Sequence, residues 1–286
     1  MKRALDSKER EINYLRNQLN SLDKHHHVPG LPTIYIITPT YTRLVQKAEL
    51  TRLATVFKSV PNIHWIVVED AQVKSPLVTK FLRSTGLNTT HLLSVTPPEV
   101  KLKEQDPNWL KPRGVLQRNT GLSWLRANLN ADYHHGVVYF ADDDNTYSTE
   151  LFHEMRHTKV VSVWPVGLVG KLRYEAPILT NGKVTDWHTL WYRRERKFAM
   201  DMAGFAVNLR LILENSLAKF DITAKRGFQE TGLLQSLGVT LSDLEPKAKM
   251  CTEVLVWHTR TEPAVIKNED KMPANGYEQS DPNVEV

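Results

Sequence analysis

The chain has 286 residues, 41% hydrophobic and 24% charged, an ordinary globular composition with enough apolar residues for one large domain or two small ones. A single cysteine, Cys251, excludes an intramolecular disulfide and a cysteine-rich metal site. The net charge of +5 is modest, and the one basic run, Arg193–Lys197, is interrupted by Glu195, so no nucleic-acid partner is expected.

The first segment, "MKRALDSKEREINYLRNQL", is charged and lacks the apolar centre of a signal peptide. Leu5, Ile12, Leu15, Leu19 and Leu22 recur at heptad-like spacing, which predicts a short amphipathic helix, single or paired. His25, His26 and His27 read as solvated linker, and Pro29, Gly30 and Pro32 break the pattern and mark a domain start. Strands and helices then alternate. Strands are predicted over 33–38, 64–70, 91–95 and 136–140. Helices are predicted over 44–60, 76–83 and 115–129, with Leu50, Leu53, Ala54 and Phe57 on one inward face and Leu122, Leu125 and Leu129 on another. Near-continuous apolar strands alternating with helices predict a parallel sheet covered on both faces. Further on, "TELFHEMR" reads as a helix and "VVSVWPVGLVG" as a strand run. Residues 201–216 read as a helix-containing segment, and 254–262 as a late strand.

In open α/β sheets ligands bind beyond the carboxyl ends of the strands. Three polar clusters fall there: Pro39-Thr40-Tyr41, Glu69-Asp70 and Asp142-Asp143-Asp144. No glycine-rich phosphate loop of either common type is present. Three adjacent carboxylates after a buried strand repel one another unless a cation sits among them. Mg²⁺ and Mn²⁺ take carboxylate and water oxygens together with substrate phosphates. At a strand end residues i and i+2 share a face, so one carboxylate can meet a metal while its neighbour meets a sugar. The bland reading, a solvated acidic turn, stays open on the triplet alone. Asn88-Thr89-Thr90 matches the N-glycosylation acceptor pattern, or is an unused polar turn.

Ten stretches in one order, among them "LPTIYIITPTYTR", "VVEDA", "PRGVLQRN", "VVYFADDDNTYS", "LRYEAP", "DMAGFAVNL" and "LVWHTRTE", resemble the β-1,3-glucuronyltransferases from about Leu31 to the C-terminus. The resemblance implies a GT-A fold, a Rossmann-like, mostly parallel sheet flanked by helices and joined to an acceptor-binding subdomain. It implies a stem over 1–30, a UDP-sugar-binding part over 31–146 and an acceptor-binding part with a dimer tail over 147–286. The activity implied is inverting transfer of glucuronic acid from UDP-glucuronic acid to the 3-hydroxyl of a terminal galactose, with Mn²⁺ as cofactor. The resemblance also implies a Golgi homodimer, held by an N-terminal membrane anchor that this chain is expected to lack.

It assigns the base to Glu230, which by its own pattern reads as a surface helix residue. Tyr41 and Asp70 resemble uridine contacts; Arg113 and Arg118, donor-binding arginines; Asp144, the metal ligand; Asp142 and Asp143, contacts to the donor's sugar and ribose. Asp201 resembles a residue near the donor glucuronic acid, and His258 and Arg260 resemble contacts to diphosphate and sugar. Glu175 and Arg196 are similar to acceptor contacts; the nearby Trp191 reads equally as an aromatic face for a galactose ring or as core. Lys171, Met250 and Pro263 depart from the family pattern, and none of them is a catalytic position. "TRLVQKAEL" and "WPVGLVG" lean towards the branch acting on Gal-Gal-Xyl of the proteoglycan linkage region, rather than on N-acetyllactosamine ends. Alternatives are a non-catalytic glycan-binding relative, or a transferase using another UDP-sugar.

Overall fold

The computed structural model describes residues 27–101, 111–190, 194–275, 278–281 and 284. The heptad-like segment, His25, His26, Trp191 and the last part of the tail lie outside the described residues. Among the described residues no helix is long and apolar enough to cross a membrane.

The first half alternates as the sequence predicts: β1 (Thr33–Thr40), α1 (Gln46–Phe57), β2 (Ile63–Glu69), α2 (Pro76–Thr85), β3 (Asn88–Leu93), α3 (Val115–Asn128) and β4 (Gly136–Phe140). Local chemistry sets the ends. Ser75 caps α2 by accepting from the Val78 amide at 3.2 Å, Pro76 occupies its first turn, and Gly86 closes it with φ 71°. β1 continues through Pro39, which pairs with Val68, and ends at Thr40, two residues later than expected. Asn88, Thr89 and Thr90 form the start of β3 rather than a turn.

The second half departs further from expectation. β5 (Thr146–Tyr147), α4 (Thr149–Met155), β6 (Val161–Val163) and β7 (Val166–Gly167) come first. The hairpin β8 (Tyr174–Thr180) and β9 (Lys183–His188) follows, then β10 (Phe205–Asn208), α5 (Leu209–Glu214), α6 (Gln229–Ser236), β11 (Leu244–Pro246) and β12 (Val256–Trp257). Residues 201–216, expected to contain a helix, hold a strand as well. The expected strand over 254–262 is reduced to two residues, and the run at 160–170 splits into β6 and β7 in different sheets.

Seven strands form the main sheet in the order β11-β6-β10-β4-β1-β2-β3, and five form a smaller one in the order β5-β12-β7-β8-β9. The main sheet is mixed, because β10 runs antiparallel to both β4 and β6. Alternation along the strands builds two cores. Ile34, Ile36, Trp65, Val67, Val137 and Tyr139 face α1, α2 and α4. Tyr35, Ile37, Ile66, Val68, Val138 and Phe140 face α3, α5 and α6. Burying each large apolar side chain contributes about 1.5–3 kcal/mol, so the central strands are pinned in register and their polar ends are held in line.

Candidate active site

The carboxyl ends of β1, β2 and β4 lie side by side. Thr40 pairs with Glu69, the Asp70 amide donates to the Thr40 carbonyl at 2.8 Å, and the Ala141 amide donates to the Ile37 carbonyl at 3.1 Å. All three polar clusters therefore sit on one edge of the sheet. The triplet lies just past the end of β4, with Asp143 and Asp144 in a turn; Asp143 is buried and Asp142 and Asp144 are partly open.

Each acid has a cationic neighbour. Arg118, buried on α3, bonds Asp142 with one arm of its guanidinium and donates with the other to the Arg113 carbonyl at 2.9 Å. Gly114 makes room for this. Its φ is 72°, and a Cβ there would lie 2.8 Å from Arg118 Nη1. Asp143 Oδ2 is 2.8 Å from Arg43 Nη2. Burial raises the Asp143 carboxyl to about 6, against the pull of Arg43. Asp144 is likewise raised by burial and then by Asp142, while His258 and Arg113 oppose the rise. Its carbonyl accepts from Arg52 of α1 and from Thr259, each at 2.7 Å.

The second group comes from the C-terminal half. The Trp257–Gly167 pairing of β12 with β7 and a 2.9 Å bond from the His258 amide to the Gly167 carbonyl bring His258 to Asp201, with Nδ1 at 3.5 Å from Oδ2. The bond to Asp201 raises His258 to about 9 against burial, so the ring is cationic at neutral pH. Burial pushes Asp201 up, but His258, the Ala203 amide and Arg196 outweigh it and hold its carboxyl below the ordinary range. Glu230, in the first turn of α6, is only 8% exposed, which corrects its reading as a surface helix residue. Thr231 donates to the Phe198 carbonyl at 3.1 Å and so ties α6 to the 196–200 segment; Arg196 Nη2 then lies 3.6 Å from Glu230 Oε2. Burial raises Glu230 to about 7, against the charges of Arg196 and Arg118. Arg118 also bonds Asp142, and it opposes the rise of Glu230 more weakly than Arg196 does.

The remaining candidates have fewer contacts, and Asn88, paired with His64 at the amino end of β3, lies at the edge of the sheet opposite the acid triplet. Tyr41 is 46% exposed, and Asp70 accepts from the Thr96 amide at 2.7 Å. Glu175 is buried, accepts from the Thr189 hydroxyl, and is raised by burial. Arg113 and Arg260 are exposed; Asn88 is exposed on the edge strand β3. Sequence reasoning missed Arg43 and Arg52, which contact Asp143 and the Asp144 carbonyl, and Glu49, which pairs with Arg43. Arg43 stands two residues past Tyr41 in a quoted motif, and only its contacts mark it out.

Among the described residues no group of three or more His, Cys, Asp or Glu could enclose a metal ion alone. Asp144, with Asp142 beside it, offers the open part of an oxygen shell. That suits a hard cation whose other ligands are diphosphate oxygens and water. The fold and this edge define a class: a GT-A glycosyltransferase.

The family model of glycosyltransferase family 43 matches residues 53–262. Galactosylgalactosylxylosylprotein 3-beta-glucuronosyltransferase 3 of Mus musculus is 54% identical over 266 residues, covering 90% of this chain and 78% of its own. The Homo sapiens enzyme of the same name numbered 1 is 56% identical over 259 residues, covering 90% and 75%. The solved structure of S. aureus TarS 1-349 aligns over 84% of this chain and 62% of its own, with a TM-score of 0.46 at 15% identity. The chain belongs to glycosyltransferase family 43.

Proposed function

We propose that this chain is an inverting glucuronyltransferase that moves glucuronic acid from UDP-glucuronic acid to the 3-hydroxyl of a terminal galactose, with Gal-Gal-Xyl of the proteoglycan linkage region as acceptor. The observation that supports this best is an acid triplet just past a strand end, with Asp142 bonded by the buried Arg118, in the same folded body as a buried glutamate, Glu230, that faces Arg196 at 3.6 Å. Burial raises the Glu230 carboxyl to about 7, so it can accept a proton near neutral pH. The names of the relatives in two species supply the donor and acceptor classes.

In this reading residues 31–146 bind the donor and residues 147–286 bind the acceptor and carry the base. Tyr41 stacks on uracil and Asp70 meets the base edge. Asp142 and Asp143 orient the sugar and ribose, and Asp201 lies by the glucuronic acid. Asp144 would hold a divalent cation, Mn²⁺ in this proposal, which when bound supplies positive charge to the diphosphate. Arg113, Arg118, His258 and Arg260 add cationic charge around the same group, where the arginine fork suits phosphate oxygens. Glu175 and Arg196 hold the acceptor galactose. Ionised Glu230 takes the proton of the 3-hydroxyl; the acceptor oxygen bonds to C1 of the sugar as the C1–O bond to the diphosphate breaks, and UDP leaves with the electron pair. One displacement inverts the configuration and needs no covalent enzyme intermediate.

The test is UDP release from UDP-glucuronic acid with a galactosyl-galactose acceptor, before and after chelation. Release that depends on Mn²⁺ and on a galactose 3-hydroxyl is expected; metal-independent release, or equal use of UDP-glucose, would overturn the proposal. The family resemblance extends it to the Golgi lumen and a homodimer, and sedimentation of the purified chain checks the dimer. A glycan on Asn88, also proposed, would appear as a mass shift removed by Asn88→Gln.

A further inference from the structure

We infer that Arg43 is a positioning residue of the donor site: one guanidinium ties the Tyr41 ring to the carboxylates of Asp143 and Glu49, and so holds the nucleoside-binding face in place before donor arrives. The inference rests on the donor reading above and deepens it.

Four contacts converge on this side chain. Its Cζ lies 4.4 Å from the Tyr41 ring centroid, and its Nη1 donates to the Tyr41 carbonyl at 3.0 Å. Its Nη2 bonds Glu49 of α1 and lies 2.8 Å from Asp143 Oδ2. Three of the partners belong to separate elements: the end of β1, the first turn of α1 and the end of β4. Tyr41 and Arg43 follow β1 with no regular structure until α1 begins, so backbone pairing does not fix the ring. A cation on one ring face does so, and the ring's exposure leaves surface for a base.

The charge arithmetic points the same way. Glu49 and Asp143 are both buried, and buried carboxylates persist only when paired. Around them, Gln46 Nε2 donates to the Thr40 hydroxyl at 3.0 Å, but an amide brings no charge. Arg43 is the cation that reaches both acids. A planar fork can bond several oxygens while its face lies against an aromatic ring; an ammonium can supply only the charge. Losing Arg43 should therefore release Tyr41 and misplace Asp143 together, two groups assigned to the donor and none to the acceptor.

The experiment compares Arg43→Gln and Arg43→Lys with wild type, reading UDP affinity by calorimetry with Mn²⁺ present and the steady-state constants for both substrates. For R43Q the UDP Kd and donor KM are expected to rise about tenfold, with kcat and acceptor KM within about twofold. R43K should recover part of the affinity, and serves as the readout if R43Q fails to fold. In a Tyr41→Ala background the effect of R43Q should shrink, because the two act as one unit. Unchanged UDP Kd and donor KM, a fall in kcat alone, or independent effects of R43Q and Y41A would each overturn the assignment. Wild-type transfer is measured alongside: UDP binding that responds to R43Q in a chain without glucuronic acid transfer would sink the functional reading and keep the role of Arg43.

Discussion

At Glu230 burial and a neighbouring guanidinium pull the carboxyl in opposite directions, and burial wins. The group must be ionised to accept a proton. Turnover is therefore expected to fall about tenfold per pH unit below about 7 and to level off above it, as a pH–rate profile would show. Glu230→Gln should abolish transfer, by at least about a hundredfold, with UDP binding retained. The same shift has a stability consequence. Between the ordinary 4.5 and about 7 the folded state binds more protons than the unfolded one, so this contribution is present at low pH and lost as pH rises through 7. Melting at pH 5 and pH 8 should show a larger difference for wild type than for E230Q. A second residue-scale prediction concerns Gly114. Gly114→Ala puts a methyl 2.8 Å from Arg118 Nη1 on a backbone with φ 72°. Displacing Arg118 from Asp142 should weaken UDP binding in calorimetry by about tenfold.

Elements carry their own strains. Ala248, Lys249, Met250 and Cys251 all have positive φ, 52°, 51°, 58° and 60°, and make one left-handed helical turn between β11 and β12. A left-handed residue other than glycine costs about 1–2 kcal/mol. The turn is held from outside by Glu154 of α4, which accepts from the Ala248 amide at 2.9 Å, and closed locally by the Cys251 amide, which donates to the Lys247 carbonyl at 2.7 Å. It carries the chain from the main sheet to β12 and so to His258. Met250 is 49% exposed and packs little, so Met250→Gly should stabilise the fold by about 0.5–1 kcal/mol in denaturant titration, the relief of strain exceeding glycine's entropy cost. Gly121 in α3 behaves in the opposite way. Alanine is favoured in a helix by about 1 kcal/mol, but its methyl would meet Ile37 at 2.7 Å across the α3–β1 contact. Overpacking costs about 1–3 kcal/mol, so Gly121→Ala is expected to be neutral to destabilising by up to about 2 kcal/mol.

For the whole molecule the main sheet is the organising fact. It takes β1–β4 from before residue 146 and β6, β10 and β11 from after it. β4 pairs with β10 along Tyr139, Val138 and Val137, and the core face of Val138 and Phe140 is completed by Val161, Phe205 and Phe220. A fragment ending at residue 146 would leave that edge unpaired and that face bare. It should therefore give no cooperative melt by circular dichroism, whereas residues 27–281 should melt as one unit. The acid triplet and Glu230 are then held by the same folded body, as the proposed donor site and base require.

The sequence alone determined the alternation of β1 to β4, the inward faces of α1 and α3, and the gathering of polar strand ends at one edge. Each follows from local periodicity, because strands buried on both faces read as apolar runs and amphipathic helices repeat on one side. It also carried enough matched stretches to indicate the family. Only the tertiary structure decided the rest. The strand β10 sits inside a segment of helical appearance, since pairing with β4 and β6 outweighs propensity. Glu230 changes from an apparent surface residue to a buried acid because the 196–200 segment, distant in sequence, folds over it. Arg43 gains its meaning from Glu49 and Asp143, separated from it by 6 and 100 positions in the chain. Burial and charge pairing are sums over neighbours in space, and no spacing along the chain records them.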